Sequence, residues 1–129
     1  MEQTFGAFVR QKRMEQGLSL RRLAARLGLS PVYMSNIETD RKPAPTQEYL
    51  DKLAEELHLS KADRELFLDL AAASQKMKVP ADLPEYIMER DIVRAALRTA
   101  KEVDATDEEW QEFIDRITKR MPKDRRDGP

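Results

Sequence analysis

Side chains that could contact nucleic acid gather in the first third of the chain, on and beside one short helical pattern. Val32, Tyr33 and Asn36 share an outward helix face, because residues three and four apart lie on the same side of a helix. The Asn36 amide can form two hydrogen bonds with an adenine edge, Val32 can pack on a thymine methyl, and Tyr33 can pack there or donate its hydroxyl to phosphate. This face therefore predicts contact with DNA bases. The alternative for Tyr33 is a ring half-buried on its own domain.

A second group of residues could bind phosphate. Ser19 stands at a predicted helix start, where exposed backbone N–H groups attract anions. Residues 1–45 contain eight Lys and Arg against four Asp and Glu, whereas residues 46–121 contain twelve against eighteen. Basic charge on this part of the chain suits duplex DNA as a partner, because Lys and Arg that bind phosphates release the condensed counterions of the DNA. The alternative is a solvated charged surface. The predicted phosphate contacts from this group are Ser19, Arg21, Arg22, Arg41 and Lys42.

Two short helices that meet at a tight turn must position these side chains. Gly28 follows the last apolar residue of the first helix, where glycine adopts a left-handed conformation at little cost. Ser30 is a helix cap, and Pro31 fits the first helical position because its missing N–H is no loss there. The pattern predicts a helix-turn-helix with helices over 19–27 and 30–38. Its inner faces are formed by Leu23, Ala24, Leu27, Met34 and Ile37.

The rest of residues 1–75 also has a helical pattern. A first helix is predicted from Thr4 to Gly17, a fourth begins at Thr46, and Ser60 caps a fifth. No segment has the alternation of a strand, so the predicted fold class is all-α. In the fifth helix the residues expected to face the core are Leu66, Phe67 and Leu70.

Residues 5–72 resemble the Cro/cI-type, or XRE-family, helix-turn-helix domain. The residues that carry the resemblance are Arg10, Arg13, Gly17-Leu18-Ser19, Leu23-Ala24, Leu27-Gly28-Leu29-Ser30, Met34-Ser35, Ile37-Glu38 and Pro43. The resemblance implies a five-helix, lambda-repressor-like DNA-binding domain over residues 1–75. It further implies that Ser35 touches phosphate or the helix backbone, and that Arg10 and Glu38 form a structural ion pair.

Two positions depart from the family pattern. Leu20 and Pro31 stand where the family often has glutamines that contact a phosphate and a base, and neither side chain can form those hydrogen bonds. Base reading is therefore expected farther along the helix, at Val32, Tyr33 and Asn36. The resemblance implies a sequence-specific regulator of transcription that binds double-stranded DNA, most simply a homodimeric repressor whose helix 30–38 enters the major groove.

The C-terminal part of the chain is predicted to be a helical extension. A linker is expected over 76–84, helices over 85–121 with a break near Asp91, and a flexible tail over 122–129. Thr106 and Glu109 form a capping box that opens an amphipathic helix. Its apolar face is expected to bind a second copy of the chain, with the same chain's core, another protein or a small ligand as alternatives. That face consists of Trp110, Phe113, Ile114, Ile117 and Met121.

The sequence offers little for catalysis. It has no cysteine, its four glycines are dispersed, and His58 is the only histidine. We therefore expect no enzymatic activity, no cofactor and no metal site. No apolar run approaches the length of a membrane span, so a cytosolic protein is expected. The alternative function is an antitoxin or adaptor whose C-terminal helices bind a protein partner, with DNA binding serving autoregulation.

Overall fold

The structure, a computed structural model, describes residues 3–75 and 79–121. Within those residues it contains only helices as regular elements, which confirms the predicted all-α fold class. None of these helices is long and apolar enough to cross a membrane. The chain divides after Ala81 into an N-terminal and a C-terminal unit. The helices are α1 Phe5–Glu15, α2 Leu20–Leu27, α3 Pro31–Glu38, α4 Gln47–Glu56, α5 Lys61–Ser74, α6 Pro84–Glu89, α7 Asp91–Val103 and α8 Asp107–Thr118.

The turn between α2 and α3 forms as its residues predict. Ser19 Oγ accepts the N–H of Arg22 at 3.1 Å and so caps α2. Gly28 ends that helix with a φ of 71°, in the left-handed region that favours glycine. Ser30 Oγ accepts the N–H of Tyr33 at 3.1 Å, and a proline occupies the first turn of α3. The structure therefore confirms the predicted caps at Ser19 and Ser30 and the predicted end of α2 at Gly28.

The core of the N-terminal unit is built from all five of its helices. The predicted inner residues of α2 and α3 are all buried, and the rings of Phe5 and Phe8 lie 5.2 and 6.1 Å from the ring of Phe67. The prediction for α5 was wrong at Leu66, which is 42% exposed, because the buried face of that helix begins one residue later. The largest fully buried side chains are Phe8, Phe67, Leu23, Met34, Ile37, Leu53, Leu57 and Val9.

A glycine sets the distance between α1 and the end of α3. A Cβ atom on Gly6 would lie 2.4 Å from the carbonyl oxygen of Ile37 and 2.5 Å from that of Glu38. These distances are far below van der Waals contact, and a backbone carbonyl cannot turn aside as a flexible side chain can. The first helix therefore crosses the C-terminal end of α3 where only a hydrogen atom fits.

The C-terminal unit has helices but no buried residue on any of them. Arg90 is extended between α6 and α7, which confirms the predicted break near Asp91. The capping box also forms: Thr106 Oγ1 accepts the N–H of Glu109, and Glu109 Oε1 accepts the N–H of Thr106 at 3.0 Å. Of the predicted linker over 76–84, residues 76–78 lie outside the described residues, and so does the predicted tail over 122–129.

Candidate nucleic-acid interface

The outer face of α3 carries the three residues predicted to contact bases, and one of them, Val32, is strongly exposed. Val32 is 71% exposed, and Asn36 lies one turn farther along the same face and is partly exposed. Tyr33 is half-buried, and its ring packs against the core of the unit. Val32 is thus open to solvent, whereas Asn36 and Tyr33 are both half-buried, Tyr33 against the core.

The beginnings of α2 and α3 suit an anion. Neither helix has an acidic residue in its first turn, so no carboxylate of that turn offsets the partial positive charge of the backbone N–H groups there. Arg21 and Arg22 lie in the first turn of α2 and are exposed. Ser19 is exposed as well, and its oxygen accepts the capping hydrogen bond while its hydroxyl hydrogen remains available to donate.

The loop after α3, residues 39–45, is called the basic loop below because it presents Arg41 and Lys42. Both residues are exposed, and both of their backbone N–H groups donate to the carbonyl oxygen of Asn36, at 2.9 and 3.1 Å. Asp40 precedes them with a φ of 62°, a left-handed conformation that costs an aspartate about 1 kcal/mol. The two cations are therefore held directly beside the end of α3.

Asp40 offsets its backbone cost by two hydrogen bonds to α1. Its Oδ1 accepts the N–H of Gly6 at 3.0 Å, and its Oδ2 accepts the hydroxyl of Thr4 at 2.7 Å. The carboxylate thereby joins the start of α1 to the first residues of the basic loop. Neither bond was predicted from the sequence, because Asp40 lies 34 residues from Gly6 along the chain.

Comparison with known proteins identifies the family. A model of the helix-turn-helix domain matches residues 4–67. SinR, the master regulator for biofilm formation, solved in complex with DNA, is 33% identical over 44% of this chain and 90% of its own, with a TM-score of 0.42. ClgR, the clp gene regulator from C. glutamicum, is 34% identical over 57% of this chain and 91% of its own, with a TM-score of 0.44. The chain belongs to the helix-turn-helix family. The predicted family is thus confirmed.

A further solved structure matches most of the chain of this helix-turn-helix protein. It is the complex of the SinR and SinI proteins, at 23% identity over 91% of this chain and 97% of that chain, with a TM-score of 0.47. No match was found among the curated proteins.

The ion pair that fixes the end of α3 differs from the predicted one. Glu38 pairs with Arg13 and not with Arg10: Arg13 Nε lies 2.7 Å from Glu38 Oε2, and Arg13 Nη2 donates to Glu38 Oε1 at 3.0 Å. Arg13 also donates to the carbonyl oxygen of Leu18 at 2.8 Å. It follows the fully buried Val9 by one helical turn and so continues the inward side of α1, whereas Arg10 is exposed. That spacing was the available signal in the sequence.

Other charges hold the helices of the domain together at its surface. Lys12 Nζ lies 2.9 Å from Asp63 Oδ2 and joins α1 to α5. The hydrogen bond that Lys12 donates to the Asp63 carboxylate raises the pKa of Lys12, and burial has a smaller opposing effect. Arg26 lies 3.5 Å from Glu56 and joins α2 to α4. Neither pair involves a residue of α3.

Proposed function

We propose that this protein binds double-stranded DNA sequence-specifically and regulates transcription, with the recognition helix Pro31–Glu38 in the major groove. The observation that carries the proposal is the face of α3 with the exposed Val32 and the half-buried Asn36, which has cations before and after it along the chain. Arg21 and Arg22 precede the face, and the basic loop follows it directly. A base-reading face between phosphate-binding groups is the arrangement that duplex recognition requires.

The proposed contacts divide into two kinds. Asn36 and Val32 read base edges, and the half-buried Tyr33 contributes its hydroxyl at the edge of the face. Phosphates are bound by side chains whose role is to position the domain without reading sequence. These are Ser19, Arg21, Arg22, Ser35, Arg41 and Lys42.

Two alanine variants separate the kinds of contact. Asn36→Ala should reduce the affinity for the preferred site by about 1–3 kcal/mol and leave binding to random duplex nearly unchanged, because it removes hydrogen bonds to one base. Arg41→Ala should weaken binding to both duplexes similarly and flatten the dependence of affinity on salt, because one phosphate contact is lost. Fluorescence anisotropy with labelled duplexes at several salt concentrations measures both effects. Equal losses on the two duplexes for Asn36→Ala would refute its role in base reading.

We further propose that the protein acts as a homodimer, with α8 in the interface. On this helix Phe113, Ile114 and Ile117 are exposed large apolar side chains, and Trp110 is partly exposed. The prediction that Met121 continues this face was wrong, because α8 ends at Thr118 and Met121 lies beyond it. A soluble chain rarely leaves such a face uncovered. Two copies would also present two recognition helices to successive major grooves about 34 Å apart.

A dimer of this kind represses by occluding a promoter, so transcription in vitro from a template that carries the site should fall when the protein is added.

Sedimentation of two charge-matched variants tests the dimer. Ile114→Glu places a charge in the apolar face and should give monomers, whereas Gln111→Glu changes an exposed polar residue of the same helix and should leave the dimer intact. A monomeric unaltered protein would contradict the proposal. It would favour instead the antitoxin or adaptor function, in which the same face binds a different protein and DNA binding serves autoregulation.

A further inference from the structure

The end of α5 is attached to the basic loop by three side-chain hydrogen bonds. Gln75 Nε2 donates to the carbonyl oxygens of Ala44 and Pro45, at 3.0 and 2.9 Å. Ser74 Oγ accepts the N–H of Ala44 at 2.9 Å and donates to the carbonyl oxygen of Ala71 at 2.8 Å. Ala44 and Pro45 are buried, so their backbone polar groups need partners within the protein. Both backbone groups of Ala44 find them at the end of α5.

The other end of the basic loop is attached to α3 and α1. The carbonyl oxygen of Asn36 accepts the N–H groups of Arg41 and Lys42, and the Asp40 carboxylate accepts two hydrogen bonds from the start of α1. Arg41 and Lys42 carry the first attachment through their own N–H groups, and Pro43 alone separates them from the second attachment at Ala44; all three residues are exposed. The two cations thus sit on a short segment that is fixed at both ends.

We propose that Gln75 is a positioning residue for DNA binding, acting through the basic loop. This inference rests on the proposed function, because it assumes that Arg41 and Lys42 contact phosphates. A segment fixed before binding loses little conformational freedom when it meets the DNA backbone, whereas a segment fixed at one end only must be ordered in the complex. Gln75 therefore increases the affinity without touching the nucleic acid.

The neutral side chain of Gln75 makes the role measurable. Its replacement changes no charge, so any change in the salt dependence of binding must come from other residues that it positions. We expect Gln75→Ala to weaken binding to duplex DNA by about fivefold to thirtyfold, the range expected when the backbone of one residue must be ordered anew. We also expect a flatter salt dependence, although no cation has been removed.

A double-mutant cycle tests whether Gln75 acts through the basic loop. The affinity for one labelled mixed-sequence duplex is measured for four proteins. They are the unaltered chain, Gln75→Ala, Arg41→Ala/Lys42→Ala, and the variant that combines all three substitutions. The expected result is a loss in the original background and no further loss once both cations are gone. Gln11→Ala is the matched control, because Gln11 is exposed on α1 and its side chain bonds only Gln3 and Glu15 among the described residues. It should bind as the unaltered protein does.

Each other outcome decides against the inference. An equal loss in both backgrounds would show that Gln75 acts through general stability and would overturn the positioning role. The positioning role would also be overturned if Arg41→Ala/Lys42→Ala bound DNA weakly and Gln75→Ala bound it as tightly as the unaltered protein. If Gln75→Ala fails to fold, Gln75→Met, which keeps the length of the side chain and lacks the amide, takes its place in the same cycle. Failure of the folded, unaltered protein to bind any duplex would refute the proposed function itself, and the positioning role with it.

Discussion

Removal of the Arg13 side chain should destabilise the domain far more than removal of Arg10. Arg13→Ala deletes two hydrogen bonds to Glu38, at 2.7 and 3.0 Å, and one to the carbonyl oxygen of Leu18. The Glu38 side chain is 4% exposed, so its carboxylate would be left buried without its partner. Breaking a buried pair in this way costs about 3–5 kcal/mol. Because the Arg13 side chain is itself 13% exposed, water can reach part of the vacated space, and we expect a loss near the lower end.

Urea denaturation of three variants measures this loss. Arg10→Ala is the matched control, since Arg10 is an exposed arginine on the same helix, and its stability should change by no more than about 0.5 kcal/mol. Arg13→Met/Glu38→Met should recover most of the stability lost in Arg13→Ala, because no unpaired charge remains and the volume is similar. Equal losses in Arg10→Ala and Arg13→Ala, or a loss below about 1 kcal/mol in Arg13→Ala, would refute the role assigned to the pair.

Three further predictions concern stability. Gly6→Ala should lower the free energy of unfolding by about 1–3 kcal/mol, because the added methyl group overlaps the end of α3. Alanine favours a helix over glycine by about 0.5–1 kcal/mol, and Ala7→Gly on the same helix measures that propensity alone. A Gly6→Ala variant more stable than the unaltered protein would contradict the close approach. Lys12→Met should lower the free energy of unfolding by less than about 1 kcal/mol at neutral pH. Because the pKa of Lys12 is raised in the folded state, the difference in stability between Lys12→Met and the unaltered protein should vanish as pH rises through that pKa. Ser30→Ala should lower the free energy of unfolding by about 1 kcal/mol, because it removes the side-chain cap of α3. Thermal unfolding measures this loss, and an unchanged stability would contradict the importance of the cap.

The parts of the fold that the sequence predicts well depend on near neighbours. Ser19, Gly28 and Ser30 act on backbone groups within a few residues, so their types and spacing suffice to place the ends of α2 and α3. The capping box of α8 is local in the same sense. The break between α6 and α7 was also anticipated from the chain alone.

The parts that the sequence did not predict depend on distant partners. Leu66 and Phe67 are adjacent, and which of them is buried depends on how α5 is rotated against α1. The choice between Arg10 and Arg13 as the partner of Glu38 depends in the same way on the rotation of α1. Gln75 has its partners 30 and 31 residues away, and no local pattern marks it. Which side chains touch DNA stays a prediction.

Selection of binding sites from a random duplex pool, followed by a salt titration on the selected sequence, tests the central claim most directly. The proposed function predicts an enriched near-palindrome whose half-sites lie one helical turn apart, bound with an affinity that falls steeply as salt increases. The absence of any enrichment with folded protein would contradict sequence-specific DNA binding.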